Sequence, residues 1–161
     1  MLETLNDARE ELKRVDHLVY VSLKYTRTVD VLLNCVHRMI DAYNFMFELV
    51  LKKALEEAKI PEIPKTPLER VSAIRELYPD DQQFDDNLGL FLLLRKIAKS
   101  QNFDKEQEYR RHVTMRTMIN GQEELLNIDI VTSYFQSIVQ FFKRLESDLV
   151  QNTNFLEQED E

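Results

Sequence analysis

Glycine and proline are nearly missing from this chain, at 2 and 4 of 161 residues. Both punctuate secondary structure, so their scarcity favours long uninterrupted elements, and helices accept that more readily than sheets. With Gly89 and Gly121 as the glycines, a glycine-rich phosphate loop is excluded. The single cysteine, Cys35, rules out an intramolecular disulfide and any multi-cysteine metal site. It stands between Asn34 and Val36 in an apolar run, the setting of a small buried side chain. No Gly-x-Ser-x-Gly nucleophile motif occurs, nor do the paired Glu-x-x-His motifs of di-iron bundles. His17, His37 and His112 stand in unrelated contexts. Neither a metal nor a small-molecule cofactor is therefore expected. No window approaches the ~18 consecutive apolar residues of a membrane span. The N-terminus is charged from Glu3 onward and lacks an apolar signal core, which points to a cytoplasmic protein with no membrane association.

What remains is a chain that is 43% hydrophobic and 31% charged, the composition of a globular domain with a heavily charged surface. Its length suits a single domain with its own core, placed over residues 1–150, with 151–161 as an acidic, flexible C-terminal tail. A net charge of -8 argues against a general nucleic-acid coat. Between Arg95 and Arg116, however, seven Lys and Arg stand against three acids, a local excess of positive charge.

Val15, Ser22, Val29, Val36, Tyr43 and Val50 recur every seven residues. Leu18, Tyr25, Leu32, Met39 and Met46 accompany them, so the first 58 residues carry a wide core-facing helical stripe. One rod of that length would run about 85 Å, against a radius of gyration near ~15 Å for a domain of this size. A break is expected at Tyr25-Thr26-Arg27-Thr28, where the two threonines weaken the helix and can bond their own backbone. This separates helices over 3–25 and 29–58. Pro61, Pro64 and Pro67 then form a stiff connector, and Thr66-Pro67-Leu68-Glu69 reads as a capping box opening a short helix. A further helix covers 84–100, in which Gly89 suggests close packing with a neighbour. Asp104 and Gln107 could cap a helix through Tyr109. Asn120-Gly121 lies between runs with β-branched residues and favours a hairpin over 112–128 rather than a helix ending there. The final helix is expected over 130–150.

Two constellations can carry chemistry. Arg27, Asp30, Asn34, His37 and Asp41 share a 3, 4, 3, 4 spacing that puts them on one helical stripe. There His37 beside Asp41 could serve as an oriented acid or base. The competing reading is a solvated face laced with ion pairs. The second is Tyr109-Arg110-Arg111-His112. Adjacent arginines can grip a phosphate, the histidine can move a proton, and the tyrosine can stack a base. The competing reading is a helix end whose cations pair with Glu106 and Glu108.

Two long amphipathic helices, a connector, shorter helices and a final helix form a pattern that resembles the HEPN superfamily of small prokaryotic helical domains. The segment from Asp16 to Arg27 (DHLVYVSLKYTR) is similar in wording to archaeal proteins near that group. The resemblance implies an all-α fold and a dimer, and many members are RNases or toxin components. Their motif sets an Arg roughly four to six residues ahead of a His, more than one helical turn, and no pair in this chain fits it. Here Arg14 lies three before His17, Arg27 ten before His37, and Arg110 and Arg111 two and one before His112. A member without that motif would act as a binding or regulatory partner. The expectation is an all-α antiparallel bundle of four to six helices with two long N-terminal helices, with one short hairpin near 112–128. Such a bundle would serve as a non-catalytic interaction module that self-associates or binds a partner protein. Phe45, Leu51 and Leu55 suggest a second apolar face for that role. The alternative is an RNA-binding protein or a metal-independent ribonuclease working through Arg110, Arg111 and His112.

Overall fold

The computed structural model describes the backbone of residues 1–159 and the side chains of residues 1–149. Helix α1 begins as α-helix over Leu2–His17, continues as a π-helical segment over Leu18–Ser22, and closes with a last α-turn over Leu23–Tyr25. The expected break follows. Thr26 and Thr28 are both extended, and the Thr28 hydroxyl accepts a hydrogen bond from the Val31 N–H at 3.2 Å to start α2, Val29–Glu56. A threonine that withdraws from one helix and caps the next turns the chain without glycine or proline.

Helix α2 is the centre of the molecule. Leu32, Val36, Met39, Tyr43, Met46 and Leu51 are all fully buried along it, and it touches every other helix. The expected capping box is present at Thr66, which opens α3, Pro67–Leu77. Asp81 caps α4, Gln82–Lys99, by accepting from the Phe84 N–H at 3.1 Å. Helix α5 spans Ile128–Glu159. Its inner face packs Phe141 edge-on to Phe84 at 4.9 Å, while Phe91 of α4 meets Phe47 of α2 at 4.9 Å. Each such ring taken out of water contributes roughly 1.5–3 kcal/mol. The side chains of the acidic tail read from the sequence, and Asp160 and Glu161 entirely, lie outside the described residues.

The expectation of an all-α bundle needs correction. Between α4 and α5 lies a three-stranded antiparallel sheet in the order β1-β2-β3, formed by Phe103–Glu106, Thr114–Ile119 and Gln122–Leu126. The β2–β3 hairpin turns at Asn120 (φ 52°) and Gly121 (φ 79°), the paired positive φ that Asn-Gly supplies. Strand β1 replaces the helix considered around Asp104. Its residues pair with β2 in the register Asp104↔Arg116 and Glu106↔Thr114, and the Arg116 guanidinium bonds Glu106 across that pair. Met115, Thr117 and Leu126 face the helices and are buried. Gly89 faces open space rather than a close neighbour.

Two further readings change. Tyr25, assigned to the apolar stripe, is 79% exposed. The π-helical segment explains it: each N–H reaches one residue further back than in an α-turn, so Val15, Val19 and Leu23 stay aligned on the core while Tyr25 rolls outward. The second apolar face of α2 is largely internal, since Leu51 is fully buried and Phe45 packs against the core, leaving Leu55 as its exposed member. Among the described residues no helix is long and apolar enough to cross a membrane.

Candidate functional site

The helix break and the loop between β1 and β2 are tied together. Glu108 accepts a hydrogen bond from the Val29 N–H at 3.1 Å, satisfying a donor that the first turn of α2 leaves free. The Tyr109 N–H donates to the Arg27 carbonyl at 2.6 Å. Lys105 lies 3.9 Å from both Asp30 and Glu108. The loop reaches this position through two residues in the left-handed region, Gln107 (φ 52°) and Tyr109 (φ 67°). For a residue with a Cβ that conformation costs about 1–2 kcal/mol, so the docking bonds hold the loop in a strained form.

Beside this junction opens a cleft of about 340 Å³. Val19, Tyr20, Leu23, Lys24 and Arg27 form one wall, and Arg111, His112 and Thr114 the second. The floor is the start of α5, with Asn127, Ile128, Asp129 and Thr132. Asn127 caps that helix by accepting from the Ile130 N–H at 2.8 Å. The π-helical segment supplies part of the first wall, a placement common for such segments at functional sites.

The electrostatics of the cleft follow from who is paired. Arg27 donates through Nε to the Leu23 carbonyl at 3.3 Å, and Lys24 lies over the Tyr25 ring at 6.0 Å. Among the described residues neither has an acidic partner, and the Arg110 and Arg111 guanidinium groups and the His112 imidazole have no side-chain hydrogen bond. Three fixed cations thus face one carboxylate, that of Asp129, which sits where a helix N-terminus favours negative charge. Chemically, such an arrangement is suited to an anion with several oxygens, such as a phosphate.

The sequence-derived clusters are regrouped. The helix-end reading of Tyr109-Arg110-Arg111-His112 fails, because these residues form a loop and the acids meant to neutralise them are engaged elsewhere. Glu106 bonds Arg116, and Glu108 serves Val29 and Lys105. Arg111 and His112 line the cleft, whereas Arg110 and Tyr109 are exposed on the same loop outside its lining. The row Arg27, Asp30, Asn34, His37 and Asp41 is not one site. Extended Thr28 separates Arg27 from the helix and sends it to the cleft, while Asp30 turns to Lys105. Asn34, His37 and Asp41 remain exposed along α2. No hydrogen bond joins His37 to Asp41 among the described residues, and the Asp41 carboxyl is pushed up first by partial desolvation against the helix and then by Glu11. Glu11, buried at 6% exposure, is held by Arg14 and Arg38.

Sequence reasoning missed Tyr20, Lys24, Asn127 and Asp129. The available signal was Lys24 inside an otherwise apolar helical face one turn before a break. Among the described residues no three His, Cys, Asp or Glu side chains gather closely enough to hold a metal ion. Cys35 is fully buried, and burial pushes its thiol up to about 12, so it is an inert core side chain. Compared with known proteins, the chain matches no family model, no curated protein and no solved structure at a significant level.

Proposed function

We propose that this protein binds RNA, holding backbone phosphates in the cleft with Lys24, Arg27 and Arg111 and placing His112 beside them. The observation that carries the reading is the meeting of Lys24 and Arg27 with Arg111, from segments far apart in the chain, none of which has an acidic partner among the described residues. A folded protein with 29 acidic residues has ample means to neutralise a purely structural arginine. Leaving several unpaired around one concavity is what phosphate binding asks for. Self-association through α2 has less support, because the apolar face that motivated it is mostly internal.

The test is fluorescence anisotropy with a labelled single-stranded RNA over a range of salt. Three phosphate contacts give a slope of log K against log salt of about -2, at ~0.7 per phosphate on a single strand. Arg27→Ala and Arg111→Ala should each weaken binding and flatten the slope, while Lys13→Ala, outside the cleft, should change neither. Equal binding by wild type and the Arg27→Ala/Arg111→Ala double variant would sink the reading. A denaturing gel of the same samples, with chelator present, separates binding from cleavage. Products that vanish in His112→Ala would turn the protein into a metal-independent ribonuclease.

A further inference from the structure

Resting on the reading that the cleft holds RNA phosphates, we propose that Tyr25 and Tyr109 are a base-stacking platform at its rim, which selects single strands over duplex.

Of six tyrosines, Tyr43 is fully buried, and Tyr78 and Tyr134 are partly buried. Of the other three, one lines the cleft and two neighbour its cations in the chain, Tyr25 beside Lys24 and Tyr109 two residues before Arg111. Tyr20 lines the cleft and is 49% exposed, while Tyr25 and Tyr109 are each 79% exposed. An aromatic ring held in water contributes nothing to the core and forgoes the gain of burial. Two such rings beside a cluster of unpaired cations form the combination that single-strand binders use: a charged track for the backbone with aromatic faces for the bases.

The two tyrosines stand on separate segments, and it is their backbones that converge at Arg27. Tyr25 ends α1, two residues before Arg27 in the chain, with the Lys24 ammonium 6.0 Å from its ring. Tyr109 comes from the β1–β2 loop, and its N–H is bonded to the Arg27 carbonyl at 2.6 Å. Its positive φ is a conformation that a bulky residue avoids. The loop therefore holds this ring outward at the expense of backbone strain, which is how a binding surface is organised before its ligand arrives. The selectivity follows from access. In an A-form duplex each base is stacked and paired inside the helix, so the platform can reach only its sugars and phosphates. A single strand can splay its bases onto the rings while its phosphates enter the cleft.

The experiment uses the full chain with labelled oligo(A) of about 12 nucleotides, within the ~4–16-nucleotide sites of single-strand binders, and the matching oligo(A)·oligo(U) duplex. Wild type should prefer the single strand. Tyr25→Ala and Tyr109→Ala should each weaken single-strand binding by about 5- to 150-fold and leave duplex binding unchanged. Tyr109→Phe should bind as wild type does. Tyr109→Gly suits the positive φ and removes the ring without added strain, so its loss of binding cannot be put down to failed folding. If Tyr109→Gly and Tyr25→Ala bind oligo(A) as tightly as wild type while Arg111→Ala does not, the platform is refuted and the phosphate cleft stands. If Arg111→Ala also binds unchanged, both readings are refuted.

Discussion

Tyr43 and Asn87 form a polar link through the centre of the helical core, and its removal has a calculable cost. The Tyr43 hydroxyl donates to Asn87 Oδ1 at 2.7 Å, and Asn87 Nδ2 donates to the Gln83 carbonyl at 2.8 Å. Tyr43 is fully buried and Asn87 is 5% exposed, so water cannot substitute for either partner. Burial also drives the phenol far above its ordinary range, which keeps the donor in place at any working pH. Tyr43→Phe preserves the ring and its contacts with Phe47 at 5.3 Å and Phe91 at 5.8 Å, but strands the amide oxygen. A buried acceptor left without a donor costs about 1–3 kcal/mol. Asn87→Leu strands the hydroxyl at a similar cost of ~1–3 kcal/mol. The double variant removes donor and acceptor together and should lose less than ~1 kcal/mol, since an apolar pair of similar shape is nearly neutral. Urea unfolding followed by circular dichroism measures all four proteins, with the slope on denaturant expected to stay the same. The singles should each shift the midpoint down, and the double should recover most of the loss. A single-variant cost under ~0.5 kcal/mol, or a double equal to the sum of the singles, would refute the buried link as an energetic unit.

Two further outcomes concern the ends of α3 and α4. The Arg144 guanidinium bonds the Asp81 carboxylate at 2.8 Å and holds it below the ordinary carboxylate range, with the Phe84 N–H adding to the effect. A carboxyl depressed in the folded state adds stability above the unfolded pKa, near ~4, and loses it as pH falls through the folded value. Melting temperature against pH should therefore fall more steeply on acidification for wild type than for Asp81→Asn, which can still cap the helix. Parallel curves would exclude the pairing as a source of stability. At the start of α3, Thr66→Ala removes the acceptor for the Glu69 N–H, 3.2 Å away. The loss should be ~1 kcal/mol, read as a drop in melting temperature of about 2–4 °C. No measurable change would mean that the cap is idle.

What the sequence determined by itself is everything decided within a few residues. Thr26 and Thr28 break the first helical run because a hydroxyl can compete for the backbone on the spot. Thr66 and Glu69 announce α3 because a capping box closes over four residues. Asn120-Gly121 specifies a hairpin because both residues accept positive φ. The tertiary structure decided what depends on a distant partner. Strand β1 has little strand character of its own, and Phe103–Glu106 becomes extended only because β2 offers its backbone bonds in the right register. The outward roll of Tyr25 needed the π-helical segment, which no residue pattern in Leu18–Ser22 announces. The cleft needed the most. Lys24 and Arg27 meet Arg111 and His112 over the start of α5 because Glu108 and Tyr109 dock on the helix break. Reading along the chain put Arg27 in one cluster and Arg111 in the other. Their charges came to face one concavity through hydrogen bonds between segments 79 residues apart.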